Sequence, residues 1–466
     1  MLTLQTDITG LPIEYWLCAI LMMVACALAL RQHHQLWVAP FVAVIGTAAA
    51  WYMIEPIYFS EYVSDFSYNT ISDAYKCLTI FLVTLIVITP LAVRALQPEG
   101  QPQIEDIHSL TPDQLVPRVV ILWLCLLSLG VYRMNGDILG ALLPIEGRAG
   151  NSMWMRDAAG DAGSTGFLVS TANYVYVLVL SLFGLLLPLT RKPTVRWLLI
   201  FCIVVSWPYA LLQGSRNVTL AVITPAIAAY LLLARRSPVI KTLVGIAVFI
   251  AVDFVMRAII EFRDVGFRDL AFGDVDATRH LGLNMASELT YIVGFFENGA
   301  MEASYGGGYL NEMLNIVPRA VWPNKPVIGI DYAVLRGFGG GESDIGVFAT
   351  ISTGMVGQGV ENFGTWLGPM TAASLMALWV AILTRLRHQG TAARMGLFLV
   401  GLGLTFNLGR DITLLVLFPF VFGYIGVLML EARDKRKRAQ SRSKHGNRVA
   451  SDSSALRGGA AAQLDR

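Results

Sequence analysis

Apolar runs of roughly twenty residues succeed one another along most of the chain, each closed by a short polar or basic break. At a rise of about 1.5 Å per residue such a run gives a helix of about 30 Å, the thickness of bilayer hydrocarbon. The pattern predicts spans at about 11–30, 36–55, 75–95, 117–134, 166–189, 197–213, 218–234, 242–260, 365–384, 395–409 and 412–431. That is about eleven, within a range of roughly ten to fourteen. The rhythm fails between about Arg257 and Gly364, the one long segment polar enough to leave a bilayer, where 281–300 reads as a re-entrant or interfacial piece. The chain therefore divides into N-terminal transmembrane helices (1–256), a large loop (257–364), C-terminal transmembrane helices (365–431) and a basic tail (432–466). The tail's Ser, Arg, Gly and Ala content predicts disorder and attraction to anionic headgroups.

Composition supports the same class. Of 466 residues, 55% are hydrophobic and only 15% charged, against about 25% in soluble domains. The fold class expected is an all-α polytopic membrane protein whose main partner is the lipid bilayer, with no nucleic acid. The net charge of +2 matters less than its distribution. Arg31, Arg94, Arg118, Arg191, Lys192, Arg196, Arg235, Arg236, Lys241, Arg385, Arg387 and Arg394 occupy alternate short loops, and Arg433 to Arg438 open the tail. Basic loops stay cytoplasmic, so the C-terminus is expected inside and the large loop outside. All five cysteines fall within apolar runs and read as core thiols. No HxxxH or CxxC spacing suggests a metal, and no cofactor is expected. The first run has no basic region ahead of it and reads as a retained span.

Candidate chemistry gathers at the outward ends of the spans. Asp253, Arg257 and Glu261 share one helical face by their i, i+4, i+8 spacing. That spacing suits a structural ion-pair ladder, or a ladder that holds Arg257 towards a substrate at the membrane surface. Arg216, in Gln213-Gly214-Ser215-Arg216-Asn217, and Arg410, in Asn407-Leu408-Gly409-Arg410-Asp411, read as arginines of tight outward turns. They either snorkel or bind phosphate through the guanidinium fork. In the large loop, Ile316 to Pro326 carries three prolines around Arg319, Trp322 and Lys325, which predicts a stiff platform. Gly306 to Gly308 and Gly337 to Gly341 would be mobile flaps on either side of it. Asp274-Val275-Asp276 matches a metal-binding DxD only by a three-residue pattern. Glu302, Asp331, Glu342, Asp344 and Glu361 are the acidic candidates for a base, and spacing does not choose among them.

Gly214-Ser215-Arg216-Asn217, Ile316–Pro326, Asn362-Phe363-Gly364 and Gly409-Arg410-Asp411 together resemble the Wzy-type polysaccharide polymerases, which include the O-antigen and enterobacterial-common-antigen polymerases. The resemblance covers roughly Trp207 to Tyr424 and is carried mainly by Pro-Arg-x-x-Trp-Pro-x-Lys-Pro. It implies a GT-C-like glycosyltransferase architecture in the bacterial inner membrane, with the large loop periplasmic. It implies transfer of a growing glycan from undecaprenyl pyrophosphate to the next lipid-linked repeat unit. A chain-length regulator and a repeat-unit flippase are the implied partners. On this reading Arg216, Arg319 and Arg410 stabilise the leaving pyrophosphate, and Glu302 or Glu361 takes the acceptor's proton. Arg257, Arg263, Trp322, Lys325 and Asp411 contact pyrophosphate or glycan. An O-antigen ligase and a lipid-linked glycan flippase remain the alternatives. The ligase is disfavoured because His280 stands alone in the loop, the flippase because charge clusters at one membrane face.

Overall fold

The computed structural model describes residues 10–32, 34–58, 61–97, 112–143, 153–154, 164–212, 216–233, 237, 239–241, 243–245, 247–248, 250–251, 285–314, 317, 321–322, 330–337, 351–411, 418–433 and 436. Among them every regular element is a helix. The long helices are α1 (Ile13–Arg31), α2 (Val38–Tyr52), α5 (Tyr68–Leu96), α6 (Pro112–Arg133), α8 (Ser164–Leu186), α9 (Pro193–Leu212), α10 (Arg216–Leu233), α14 (Gly354–His388) and α15 (Ala392–Arg410). Short helices α3 (Glu55–Tyr58), α4 (Glu61–Asp65), α7 (Ile138–Leu142), α11 (Met285–Glu297), α12 (Gly307–Leu314) and α13 (Ile330–Leu335) lie between them. Among the described residues five segments are long and apolar enough to cross a membrane: Ile13–Arg31, Val38–Ile57, Tyr68–Leu96, Leu115–Arg133 and Gly354–His388. This is the architecture of a helical membrane protein. Met1–Phe420 form one compact unit, and the helical residues 418–433 lead into a second, Val421–Arg466.

Exposed side chains of the first unit are those a lipid face needs. Ile13, Met23, Ile121, Trp197 and Trp366 are each more than 59% exposed on the long helices, and hydrocarbon can solvate them where water would not. The opposite faces build the core. α5 and α14 form the most extensive pairing, with α1, α2 and α11 packed around them and α15 joining α2 to α8 and α10. α5 starts seven residues before the predicted span, because Ser67 caps it by accepting from the Thr70 N–H at 3.2 Å. At its other end α2 leaves orphan carbonyls. The buried tyrosines satisfy them: Tyr75 donates to the Tyr52 carbonyl at 2.9 Å and Tyr15 to that of Met53 at 2.9 Å.

One helix differs from the hydropathy pattern in kind. α14 breaks at Gly364 (φ 76°, ψ 179°), a backbone region open essentially to glycine alone. In a continuous helix Gly359 and Gly368 would lie about 13 Å apart. Here a Cβ on either would run into the other's backbone carbonyl. Residues 354–363 therefore fold back as a half-helix on residues 365–388, and the two glycines let the backbones touch. The span at 365 begins where predicted, but the end of the large loop dips back beside it instead of remaining irregular.

The Lys/Arg asymmetry has a structural counterpart. The α1–α2 turn, the C-terminus of α5 and the C-terminus of α14 meet at one end, where Arg387 donates to the Leu36 carbonyl at 3.3 Å and Arg31 and Arg94 are exposed. The C-terminus of α2, the N-terminus of α5, the half-helix and the C-terminus of α15 meet at the other.

Candidate functional site

That other end holds the candidate site, and Asn362 organises it. Fully buried on the half-helix, Asn362 donates to the Gln358 carbonyl at 2.7 Å. Its side-chain oxygen accepts from the Ser304 hydroxyl and from the Tyr309 N–H, both at 3.1 Å. The Ser304 N–H adds a bond to the Glu361 carbonyl at 3.0 Å. A short polar segment of the loop is thus stitched to the half-helix, and α12 starts on the stitch. Gly306 to Gly308 are not flaps. They turn the chain at φ +90° on Gly306 and let α12 approach so closely that a Cβ on Gly308 would sit 2.9 Å from the Asn362 amide nitrogen.

α12 then presents Tyr309 and Glu312, three residues apart and so on one face. Glu312 is only 8% exposed. Burial raises its carboxyl from the ordinary 4.5 to about 7, with the Glu361 charge adding to the shift. Glu361 in turn lies within electrostatic range of Asp331 on α13. The Tyr309 hydroxyl is buried and has no hydrogen-bond partner among the described residues. Burial, then the charges of Asp411 and Glu361, hold that phenol well above its ordinary pKa.

Arg410 enters from α15. The sequence reading sets it in a tight turn; the structure makes it the last residue of the helix, with Asp411 as an extended cap whose N–H returns to the Asn407 carbonyl at 3.2 Å. The helix runs on because α2 supports it. Trp51 donates to the Phe406 carbonyl at 2.8 Å, and Gly409 leaves room that a Cβ would take from Thr47 and Trp51. Arg410 Nε donates to the Ser352 hydroxyl at 3.0 Å, just ahead of the half-helix. Two residues further on the Tyr52 hydroxyl receives the Val356 N–H at 3.0 Å. The structure therefore puts Asp411 and Glu361 both within electrostatic range of Tyr309, holds Arg410 on Ser352 ahead of the same half-helix, and adds Glu312, which the sequence reading omits.

The remaining expected residues are distributed otherwise. Glu302 is exposed, two residues before the Ser304 stitch. Trp322 is half-buried beside an exposed Val321. Arg216 is the first residue of α10. Its side chain lies outside the described residues, as do Asp253, Arg257, Glu261, Arg263, Asp274, Asp276, His280, Arg319, Lys325, Glu342 and Asp344. Among the described residues no three of His, Cys, Asp and Glu are grouped as metal ligands.

A second polar assembly fixes the roof. Glu55 of α3 caps α11, accepting from the Ser287 N–H at 3.1 Å and its hydroxyl at 2.7 Å, where the helix dipole favours a carboxylate. The next residue, Glu288, is 2% exposed. It accepts from the Tyr332 hydroxyl and binds Arg336 through Nε at 3.1 Å and Nη2 at 3.3 Å. Arg336 also lies 3.5 Å over the Tyr291 ring. α13, which carries Asp331, is thereby fastened to the membrane bundle.

A half-buried arginine can stabilise a developing anion, and a carboxylate poised near neutrality can accept a proton. No family model, curated protein or solved structure matches the chain.

Proposed function

We propose that the protein is a glycosyltransferase of the bacterial inner membrane that polymerises undecaprenyl-pyrophosphate-linked oligosaccharide repeat units. In this reading about eleven spans form a GT-C-like frame, the C-terminus is cytoplasmic, and the site end of the bundle faces the periplasm. The observation that carries the proposal is that Arg410 and the Glu312–Glu361 pair lie at the same end of an apolar bundle, away from the end where Arg31, Arg94 and Arg387 gather. A lipid-linked pyrophosphate presents its charge at that depth, and the motif resemblance to Wzy-type polymerases names the same arginine.

The chemistry is a displacement at the anomeric carbon of the donor glycan. An acceptor hydroxyl oxygen forms the new glycosidic bond as the carbon–oxygen bond to pyrophosphate breaks. Undecaprenyl pyrophosphate leaves with the electron pair, its charge met by Arg410, with Arg216, Arg319 and Lys325 as further cations. The hydroxyl proton passes to a carboxylate. Glu312 is the better base than Glu302, because burial brings it to about 7 and a base works best near the operating pH. Glu361 sets the charge beside it.

The test is purified protein in liposomes with one lipid-linked repeat unit as sole substrate, its products resolved by length. A ladder supports the polymerase. Movement of the unit between leaflets without a ladder supports a flippase instead, and transfer only after a lipid A core acceptor is added supports a ligase.

A further inference from the structure

The basic end of the bundle contains a cavity of about 720 Å³ between α1, α2, α5 and α14, a volume in the range of small-molecule sites. Its wall is of two kinds. Leu28, Phe41 and Ile86 make an apolar side, while Gln32, Gln97 and Arg94 bring polar groups and a cation. Among the described residues no acidic side chain lines it. Pro90, also in the wall, has no N–H to give the Ile86 carbonyl one turn before it. Arg387 ties the α1–α2 turn to α14 through the Leu36 carbonyl, so the wall is braced from behind.

We propose that this cavity is a site for an anionic phospholipid of the bilayer, its phosphate on Arg94 and its first acyl methylenes along Leu28, Phe41 and Ile86. The two sides of the wall select that ligand class. The apolar side suits an acyl chain and would be wasted on a soluble anion. The cation suits phosphate. A zwitterionic headgroup offsets its phosphate with its own ammonium, whereas an anionic lipid keeps a net negative charge for Arg94, so a net-negative lipid is favoured. The site is independent of the chemistry at the other end.

Trp37 lines the cavity and serves as its reporter. Full-length protein is titrated, in detergent, with phosphatidylglycerol or phosphatidylcholine brominated on the acyl chain. Subtracting the quenching of Trp37→Phe isolates this tryptophan from the other nine among the ten. Phosphatidylglycerol is expected to quench Trp37 at about fivefold lower mole fraction than phosphatidylcholine, the factor one basic residue gains against an anionic lipid. Arg94→Gln brings the two curves together, and Arg94→Lys keeps them apart. Arg31→Gln removes a charge from the same end outside the cavity and leaves the preference intact. Equal quenching by both lipids in the unsubstituted protein overturns the proposal without recourse to any variant. So does an Arg31→Gln protein that loses the preference as fully as Arg94→Gln, since the effect then belongs to the whole surface.

Discussion

Glu312→Gln separates stability from activity in a way that only a buried, neutral-poised carboxyl produces. An unfolded glutamate ionises near 4.5, whereas this one holds its proton to about 7. Between those values the folded protein carries more bound protons than the unfolded chain, so its stability falls as pH rises through the window and the loss is complete above about 7. At about 1.4 kcal/mol per pH unit the displacement comes to about 3 kcal/mol. Glutamine has no charge to desolvate and keeps nearly the same shape. Thermal unfolding of the two proteins, followed by tryptophan fluorescence from pH 4.5 to 8, should show the variant gaining steadily on the parent as pH rises. Product ladders should move oppositely: the parent's rate climbs through about pH 7 as the base ionises, and the variant stays low throughout. A stability difference that is flat with pH would refute the burial argument. A pH-independent parent rate would refute the role as base while leaving the burial argument standing.

Other perturbations test the surrounding geometry. Glu361→Gln removes the negative neighbour of Glu312 and should shift the rising limb of the rate profile to lower pH; an unmoved midpoint would show the two are not in contact through charge. Glu288→Ala strands the Arg336 guanidinium and the Tyr332 hydroxyl and should cost about 3–5 kcal/mol, read as a lowered melting temperature. Gly359→Ala sets a methyl against the Gly368 carbonyl and should cost about 1–3 kcal/mol, with activity falling because Glu361 rides on the same half-helix; unaltered melting and activity would mean the halves are not in contact. Arg410→Lys keeps the charge but loses the fork and the Nε bond to Ser352, so ladder formation should not be restored relative to Arg410→Ala.

Several local rules read correctly along the chain. Twenty-residue apolar runs mark the long helices, alternate basic loops put Arg31, Arg94 and Arg387 at one end, and Asn362-Phe363-Gly364 marks where a span opens. Arg410 stands out because a charge next to an apolar run is costly wherever it sits, while Glu361 is one of five acidic candidates that spacing does not separate. Glu312 was hidden. Nothing in Gly-Gly-Tyr-Leu-Asn-Glu-Met-Leu distinguishes it from a solvated carboxylate, apart from its sharing a helical face with Tyr309. The glycines misled for a related reason. In sequence Gly306 to Gly308 read as mobile flaps and Gly409 as part of a tight turn, but Gly308 and Gly409 serve close approach, and closeness depends on a partner far along the chain.

Hydropathy thus establishes that the chain is a helical membrane protein, because helix length and the cost of exposing polar backbone to lipid are local properties. Which carboxylate is poised near neutrality is a property of the fold. A glutamate's pKa follows from the burial and charge around it, and for Glu312 those arise only when α12 packs against the half-helix 354–363.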